Sequence, residues 1–263
     1  MPPSDFQARV LNIIAANRSP ESHVAGGLAL NLAWDRLSYD IDIFNDTPSA
    51  VANAAQADAH ALIQAGFQVE WVRRMPSMLT ARVSLGQAQT QLDWVQDSAV
   101  RFFPVQQHPV LGFALHPFDL ATNKALTAAA RREPRDAMDL VAIHERLYPL
   151  GAVVWAAVGK DEGYSPELLL DTIPRLARYS DNDLEKVESR APMTAADLSR
   201  RLKAAVADAA TFIQTMPPQT VGSVFLLDGA IVQPDPSRLG DYQKLSPTPG
   251  GVWPIDPSLS PVA

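Results

Sequence analysis

Asp40 and Asp42 stand two residues apart in an apolar frame of Ile41, Ile43 and Phe44. On a β-strand, residues i and i+2 project from the same face. The two carboxylates then point one way while Ile41 and Ile43 enter a core. Adjacent carboxylates repel each other unless a hard cation such as Mg²⁺ lies between them. Upstream, Gly26-Gly27 opens a short helical segment, and glycine lets backbone N–H groups come close to a phosphate. A phosphate cradle followed by a metal-binding strand is the outline of a nucleoside-triphosphate site. The other reading of the pair is an acidic turn in solvent, as for Asp46 nearby; the apolar alternation argues against it.

A third carboxylate would complete a two-metal site. Asp93, in the run Thr90-Gln91-Leu92-Asp93-Trp94-Val95, is the candidate if that strand lies beside 40–44. Otherwise Asp93 is an exposed strand position. Asp97 falls beyond the strand and is the weaker choice. Arg36 and Ser38, just before the aspartates, suit either a triphosphate oxygen or a structural salt bridge. On a later helix, Lys124, Thr127, Ala128 and Arg131 share one face by spacing, and its small residues leave Lys124 room to reach a phosphate. A solvated lysine is the plainer alternative. Asp136 lies where a helix N-terminus favours a carboxylate, and Arg135 with Asp139 has the spacing of a helix ion pair. His144 and Glu145 read as structural. Arg73-Arg74, and Arg200-Arg201 with Lys203, are the densest basic clusters and read as solvated surface.

The elements that must position these groups follow an α+β order. Helix (5–16) precedes a strand (22–25), a helix (28–35), a strand (40–44) and an alanine-rich helix (49–65) stopped by Gly66. Strands 67–72, 78–85 and 89–95 come next, the last two forming a hairpin around Gly86, and a further strand covers 113–116. Pro117 and Pro134 each open a helix at the favoured first-turn position. Beyond residue 150 the pattern is mostly helical (from 165, and 194–216), until a hairpin around Asp228-Gly229 in a Pro-rich tail. The expected divisions are a core over 1–116, a helical region over 117–215 and the tail over 216–263.

The chain has 263 residues, 47% of them hydrophobic, and no cysteine, so it has ample core and neither disulfides nor thiolate metal sites. Its five histidines lack zinc-like spacing. The N-terminus does not read as a signal peptide, and the apolar run 151–159 is too short to span a bilayer. A cytoplasmic location with no membrane partner is the expectation. A net charge of −7 supplies no global field for nucleic acid, so an RNA partner needs a local basic patch.

Together these residues resemble the DNA polymerase β-type nucleotidyltransferase superfamily, whose signature is a Gly-Gly or Gly-Ser pair followed by Asp-x-Asp. More closely, the chain is similar to the AbiEii/AbiGii toxin-like family. Gly26-Gly27-Leu28-Ala29-Leu30, the Arg36–Asp42 segment, Lys124, Arg131 and Arg135-Asp136-Ala137-Met138-Asp139-Leu140 match its motifs in order, over roughly residues 20–147. The resemblance implies a polymerase β-like nucleotidyltransferase core, a small mixed sheet with packed helices, followed by a helical C-terminal region. It implies that Gly26 and Gly27 hold the triphosphate, that Asp40 and Asp42 bind Mg²⁺, that Lys124 contacts phosphate and that Asp136 is a later functional acid, with Asp139 beside it. Asp93 rests on the strand reading alone. The activity implied is transfer of NMP from an NTP to a hydroxyl, with RNA (tRNA above all) as acceptor, by a toxin paired with an antitoxin. The acidic charge sits awkwardly with RNA. A small-molecule acceptor of aminoglycoside type, a protein acceptor, and a non-catalytic nucleotide-binding relative are the competing readings.

Overall fold

The computed structural model describes residues 3–32 and 34–253. In chain order its elements are α1 (Asp5–Ile14), β1 (Ser22–Ala25), α2 (Gly26–Asn31), β2 (Asp40–Asn45), α3 (Pro48–Gln64), β3 (Gln68–Met75), β4 (Met78–Leu85), β5 (Ala88–Gln96), β6 (Val100–Arg101), β7 (Gln106–His108), β8 (Gly112–Ala114), α4 (Pro117–Ala130), α5 (Pro134–Arg146), α6 (Leu150–Ala157), α7 (Pro166–Leu176), α8 (Asp181–Leu184), α9 (Ala195–Thr215), β9 (Val224–Leu227), β10 (Ala230–Val232), β11 (Gln243–Leu245) and β12 (Thr248–Pro249), with short 3₁₀ turns between some of them. They form two compact units. One comprises residues up to 99 with 104–120 and 188–191; the other comprises 100–103, 121–187 and 192 onward. The second unit thus takes in the expected helical region, apart from 117–120 and 188–191, and the described part of the Pro-rich tail.

The first unit is built on a seven-stranded mixed sheet in the order β3-β4-β5-β2-β1-β8-β7. β2 pairs parallel with β5, and β1 parallel with β8; the other neighbours are antiparallel. Alternation along β2 is the reason for its placement: Ile41 and Ile43 are fully buried while Asp40, Asp42 and Phe44 are half-buried. Ile41, Ile43, Ala81, Val83, Leu92 and Trp94 line one face and pack with Val10, Leu11 and Ile14 of α1 and Val51, Ala55 and Leu62 of α3. One face of the sheet is therefore core, as the period-2 pattern requires. α1 begins with a capping box, Ser4 and Gln7 each accepting from the other's backbone N–H. The amide nitrogen of the same Gln7 donates to the carbonyls of Ser38 (2.8 Å) and Tyr39 (3.1 Å), fixing the segment that enters β2.

Beneath this sheet lies a charged network. Arg18 and Asp58 are both fully buried at the side chain, with a guanidinium nitrogen 2.6 Å from the carboxylate. Trp94 Nε1 and Asn17 Nδ2 also donate to that carboxylate, at 2.7 and 2.9 Å. Burial pushes Asp58 up and Arg18 down from their ordinary values, against their mutual attraction.

The second unit is helical, with a small antiparallel sheet ordered β10-β9-β11 and a two-stranded pairing of β6 with β12. Every residue of α6 is buried, which accounts for its apolar run. α9 buries Leu198, Leu202, Ala205, Ala209, Phe212 and Ile213 along one stripe, the spacing of an amphipathic helix. Asp228 and Gly229 both take positive φ, 50° and 76°, as a two-residue hairpin between β9 and β10 demands. No helix among the described residues is long and apolar enough to cross a membrane.

The architecture is the expected α+β one, with a mixed sheet, packed helices and a helical C-terminal region. Several elements differ from the sequence reading: the strand expected over 67–72 is Gln68–Met75, the one expected over 113–116 is Gly112–Ala114, and the short strands β6, β7, β11 and β12 carry no pattern that announces them. The helix expected over 28–35 begins at Gly26 and ends at Asn31, and position 33 lies outside the described residues. The two glycines form its first turn.

Candidate active site

β2 carries Asp40 and Asp42 on the face opposite the core. β5 lies beside it in parallel register, with Asp42 directly opposite Asp93 and Asp40 opposite Gln91. On the other side, Ala25 of β1 pairs with Asp42, so Gly26 turns out of the sheet next to that carboxylate. Gly26 has φ +66°, and a Cβ built on it would stand 1.9 Å from Asp42 Oδ2. A Cβ on Gly27 would stand 2.7 Å from Arg36 Nη2 and 3.0 Å from Ser38 Oγ. Four of the five residues singled out for phosphate binding, Gly26, Gly27, Arg36 and Ser38, are therefore gathered with Asp42 around the start of α2; the fifth, Lys124, lies in the other unit. Arg36 and Ser38 are buried. The Arg36 segment is braced by residues 188–191: Leu37 N donates to Glu188 O, Arg190 N donates to Asp35 O, and the Tyr39 hydroxyl donates to the Glu188 carboxylate. No periodicity in the sequence signals this brace, because it is a long-range backbone contact of an irregular segment.

Asp93 is buried, and both its oxygens accept hydrogen bonds, Oδ1 from the Thr80 hydroxyl at 2.6 Å and Oδ2 from Gln91 Nε2 at 2.8 Å. Thr80 is a site residue the sequence reading missed; its place opposite Asp93 in the β4–β5 hairpin follows from counting outward from the Gly86 turn. The three aspartates are neighbours in register and not a ready-made cage. Among the described residues no group of three or more His, Cys, Asp or Glu side chains is arranged to hold a metal ion. The donor chemistry of the Asp40–Asp42 pair does fit a hard divalent cation: two carboxylates on one strand face, against a backbone with no Cβ in the way. Asp93, expected as a third ligand, accepts hydrogen bonds from Thr80 and Gln91.

Close packing at Gly26 makes a direct prediction. Gly26→Ala would put a methyl group into Asp42 and strain a left-handed backbone, at a cost of about 1–3 kcal/mol. Displacing the carboxylate is expected to lower activity by roughly 10²-fold. Thermal melting, and the nucleotide transfer that the sequence resemblance implies, measured on the same preparation check whether activity falls by more than stability.

A second cluster lies wholly in the helical unit. Lys124 Nζ is 2.8 Å from Asp136 Oδ1 and 3.1 Å from Asp139 Oδ2. Arg131 Nε donates to Asp136 Oδ2 at 2.8 Å. Lys124, on α4, and Arg131, the residue that follows the helix, both turn to the acids of α5: Lys124 is neither solvated nor left open, since both carboxylates hold its ammonium. Burial works to raise Asp136; hydrogen bonds from Arg131 and Lys124 and their charges outweigh it and hold the carboxyl below its ordinary value. Burial, then the charge of Asp136, pushes the Tyr179 phenol up to about 12. His144 accepts from Leu150 N through Nδ1 and Glu145 pairs with Arg201, both structural contacts.

Because the folded Asp136 carboxyl titrates below its unfolded value, its contribution is complete above about pH 4 and is lost as pH falls through the folded value. Asp136→Asn is expected to cost about 1.5–3 kcal/mol at neutral pH. It should also flatten the fall in stability on the acid side. Urea denaturation at a series of pH values checks both effects.

No protein-family model and no curated protein matches the sequence. Among solved structures the chain is similar to MenT4, a nucleotidyltransferase toxin from Mycobacterium tuberculosis H37Rv, at 17% identity and a TM-score of 0.52, covering 78% of this chain and 82% of that one. It is similar to an H. pylori protein assigned as a nucleotidyltransferase, at 14% identity and a TM-score of 0.49, covering 81% and 96%. It also aligns with the Cid1 poly(U) polymerase bound to Mg and 3′-dATP, at 13% identity and a TM-score of 0.31, covering 76% and 68%. The likeness to MenT4 is one of fold: this chain carries its Gly26–Gly27 and Asp40–Asp42 segments on the fold of a nucleotidyltransferase toxin.

Proposed function

We propose that the protein is a Mg²⁺-dependent nucleotidyltransferase that moves NMP from an NTP to a hydroxyl of RNA, tRNA above all, as a toxin of the AbiEii/AbiGii-like kind with a cognate antitoxin. The observation that carries this reading is the packing of Gly26 against Asp42, with Arg36 and Ser38 against Gly27. Glycine backbone, guanidinium and hydroxyl suit phosphate oxygens, and the adjacent Asp40–Asp42 pair suits the cation that accompanies a triphosphate. MenT4, on the same fold, is named a nucleotidyltransferase toxin.

Each residue then has a task. Gly26 and Gly27 let the phosphates approach the backbone, and Arg36 with Ser38 neutralises and orients them. Asp40 and Asp42 would hold the cation, which when bound offsets charge on the reacting phosphate and on the pyrophosphate leaving group. Asp93, aimed by Thr80 and Gln91, accepts the proton of the attacking hydroxyl. The hydroxyl oxygen forms a bond to the α-phosphorus as the bond to pyrophosphate breaks. Lys124 is the cation proposed for phosphate charge in the helical unit, with Asp136 and Asp139 holding its ammonium in place.

Incubation with α-labelled NTPs, Mg²⁺ and total RNA tests the reading. Label in the RNA fraction supports it. Label in a small-molecule or protein fraction moves the acceptor, and no label in any fraction removes the enzyme.

A further inference from the structure

The rows of paired residues across the sheet place a cationic track beside the carboxylates. Residues directly opposite one another on neighbouring strands share a face. One row runs Asp42 (β2), Asp93 (β5), Thr80 (β4), Arg73 (β3); the next runs Asp40, Gln91, Arg82, Glu70. Arg73 and Arg82 are thus on the same face as the aspartates, three and two strands away. With strands spaced about 4.7–4.9 Å, that is roughly 14 Å and 10 Å.

This face is polar where the other is core. Gln89, Gln91, Thr80, Arg82, Ser84 and Arg73 occupy it, against Leu92, Trp94, Ala81 and Val83 behind. A bulge between Trp71 and Arg73 sets the facing of the two consecutive arginines. Arg74 lies over the Trp71 ring, 4.7 Å from its centroid, and Trp71 packs at a tilt against Trp94 of the core side. Arg73 takes the aspartate side, where its guanidinium lies 3.4 Å from the Met78 sulfur. Among the described residues no carboxylate lies within ion-pair distance of Arg73. Arg82 pairs with Glu70 at 2.9 Å, both largely exposed, an interaction weak enough for a phosphate to displace. In a chain of net charge −7, β3 and β4 carry three arginines and one acid.

We propose that this face is the binding track for a single-stranded RNA acceptor. Its terminal hydroxyl lies at Asp93, and the phosphates behind it lie on Arg82 and then Arg73 at the sheet edge. The proposal deepens the nucleotidyl-transfer reading and rests on it for the placement of the hydroxyl. It assigns a function to Arg73 that the sequence left as solvated surface, and it separates Arg73 from Arg74.

Fluorescence anisotropy of a 5′-fluorescein-labelled single-stranded RNA, measured over a range of salt, tests it. Arg73→Ala/Arg82→Ala should weaken binding several-fold and lower the slope of log K against log salt by about 0.7 for each lost contact. Arg74→Ala, on the core face, should leave the slope unchanged, and NTP affinity should be the same in all three proteins. A double variant that binds RNA with the wild-type slope overturns the proposal, as does a wild-type protein whose RNA binding is independent of salt. Binding is read without turnover. Transfer to RNA alongside an unchanged slope sinks the track and leaves the enzyme, whereas a lost contact without any transfer sinks the enzyme and leaves the track.

Discussion

Asp42→Asn is expected to abolish nucleotide transfer, by about 10³-fold or more, while leaving the fold intact or slightly more stable. The loss corresponds to about 4 kcal/mol of transition-state stabilisation, within what a charge clamp on a phosphoryl group supplies. The stability side of the prediction is the more diagnostic. Asp40 and Asp42 project from one strand face, next to Asp93 in the paired strand, and close like charges destabilise a fold. Neutralising one removes that repulsion without changing the side chain's shape. A structural aspartate would behave the opposite way and lower the melting temperature. Transfer assays together with thermal melting of Asp42→Asn decide between the two, and retained activity would end the assignment of Asp42.

The second large effect lies at the buried ion pair. Asp58→Ala is expected to destabilise the protein by about 3–5 kcal/mol, because it leaves a buried guanidinium without its counter-charge. Arg18 is fully buried at the side chain, and the same carboxylate also receives Trp94 Nε1 and Asn17 Nδ2. The paired replacement Arg18→Met/Asp58→Leu should recover most of the loss, since removing both charges leaves no unpaired ion. Urea denaturation of the single and double variants measures it. A single variant within about 0.5 kcal/mol of wild type, the range of an ordinary surface change, would show that the pair is not buried in solution.

Both networks show why part of this molecule was legible in its sequence. The strand bearing Asp40 and Asp42 is set by alternation of Ile and Asp, and the β4–β5 hairpin by the Gly86 turn, so local pattern was enough to find them. Asp93 could be named from its strand; its place beside Asp42 depends on β2 and β5 pairing in parallel, a long-range fact that periodicity does not encode. Lys124, Arg131 and Asp136 were legible as a helix face and a helix start, but their mutual ion pairs depend on how α4 meets α5. Arg18 and Asp58 carried no sequence signal at all. Charged residues on a helix and a turn ordinarily face solvent, and only the packing of α3 against β5 reveals that these are interior. The segment 188–191 bracing Arg36 escaped for the same reason. Arg73 and Arg74 read as one basic cluster; alternation puts consecutive strand residues on opposite faces, and the bulge at Val72 decides that Arg73 takes the aspartate side.

Whether Gly26, Gly27, Asp40 and Asp42 form one Mg²⁺–triphosphate site is decided by a crystal structure of the protein with Mg²⁺ and a non-hydrolysable NTP. The triphosphate is expected against the Gly26–Gly27 backbone within reach of Arg36 and Ser38, and the cation ligated by both Asp40 and Asp42. A nucleotide bound elsewhere, or a cation that avoids the two aspartates, would contradict this assignment.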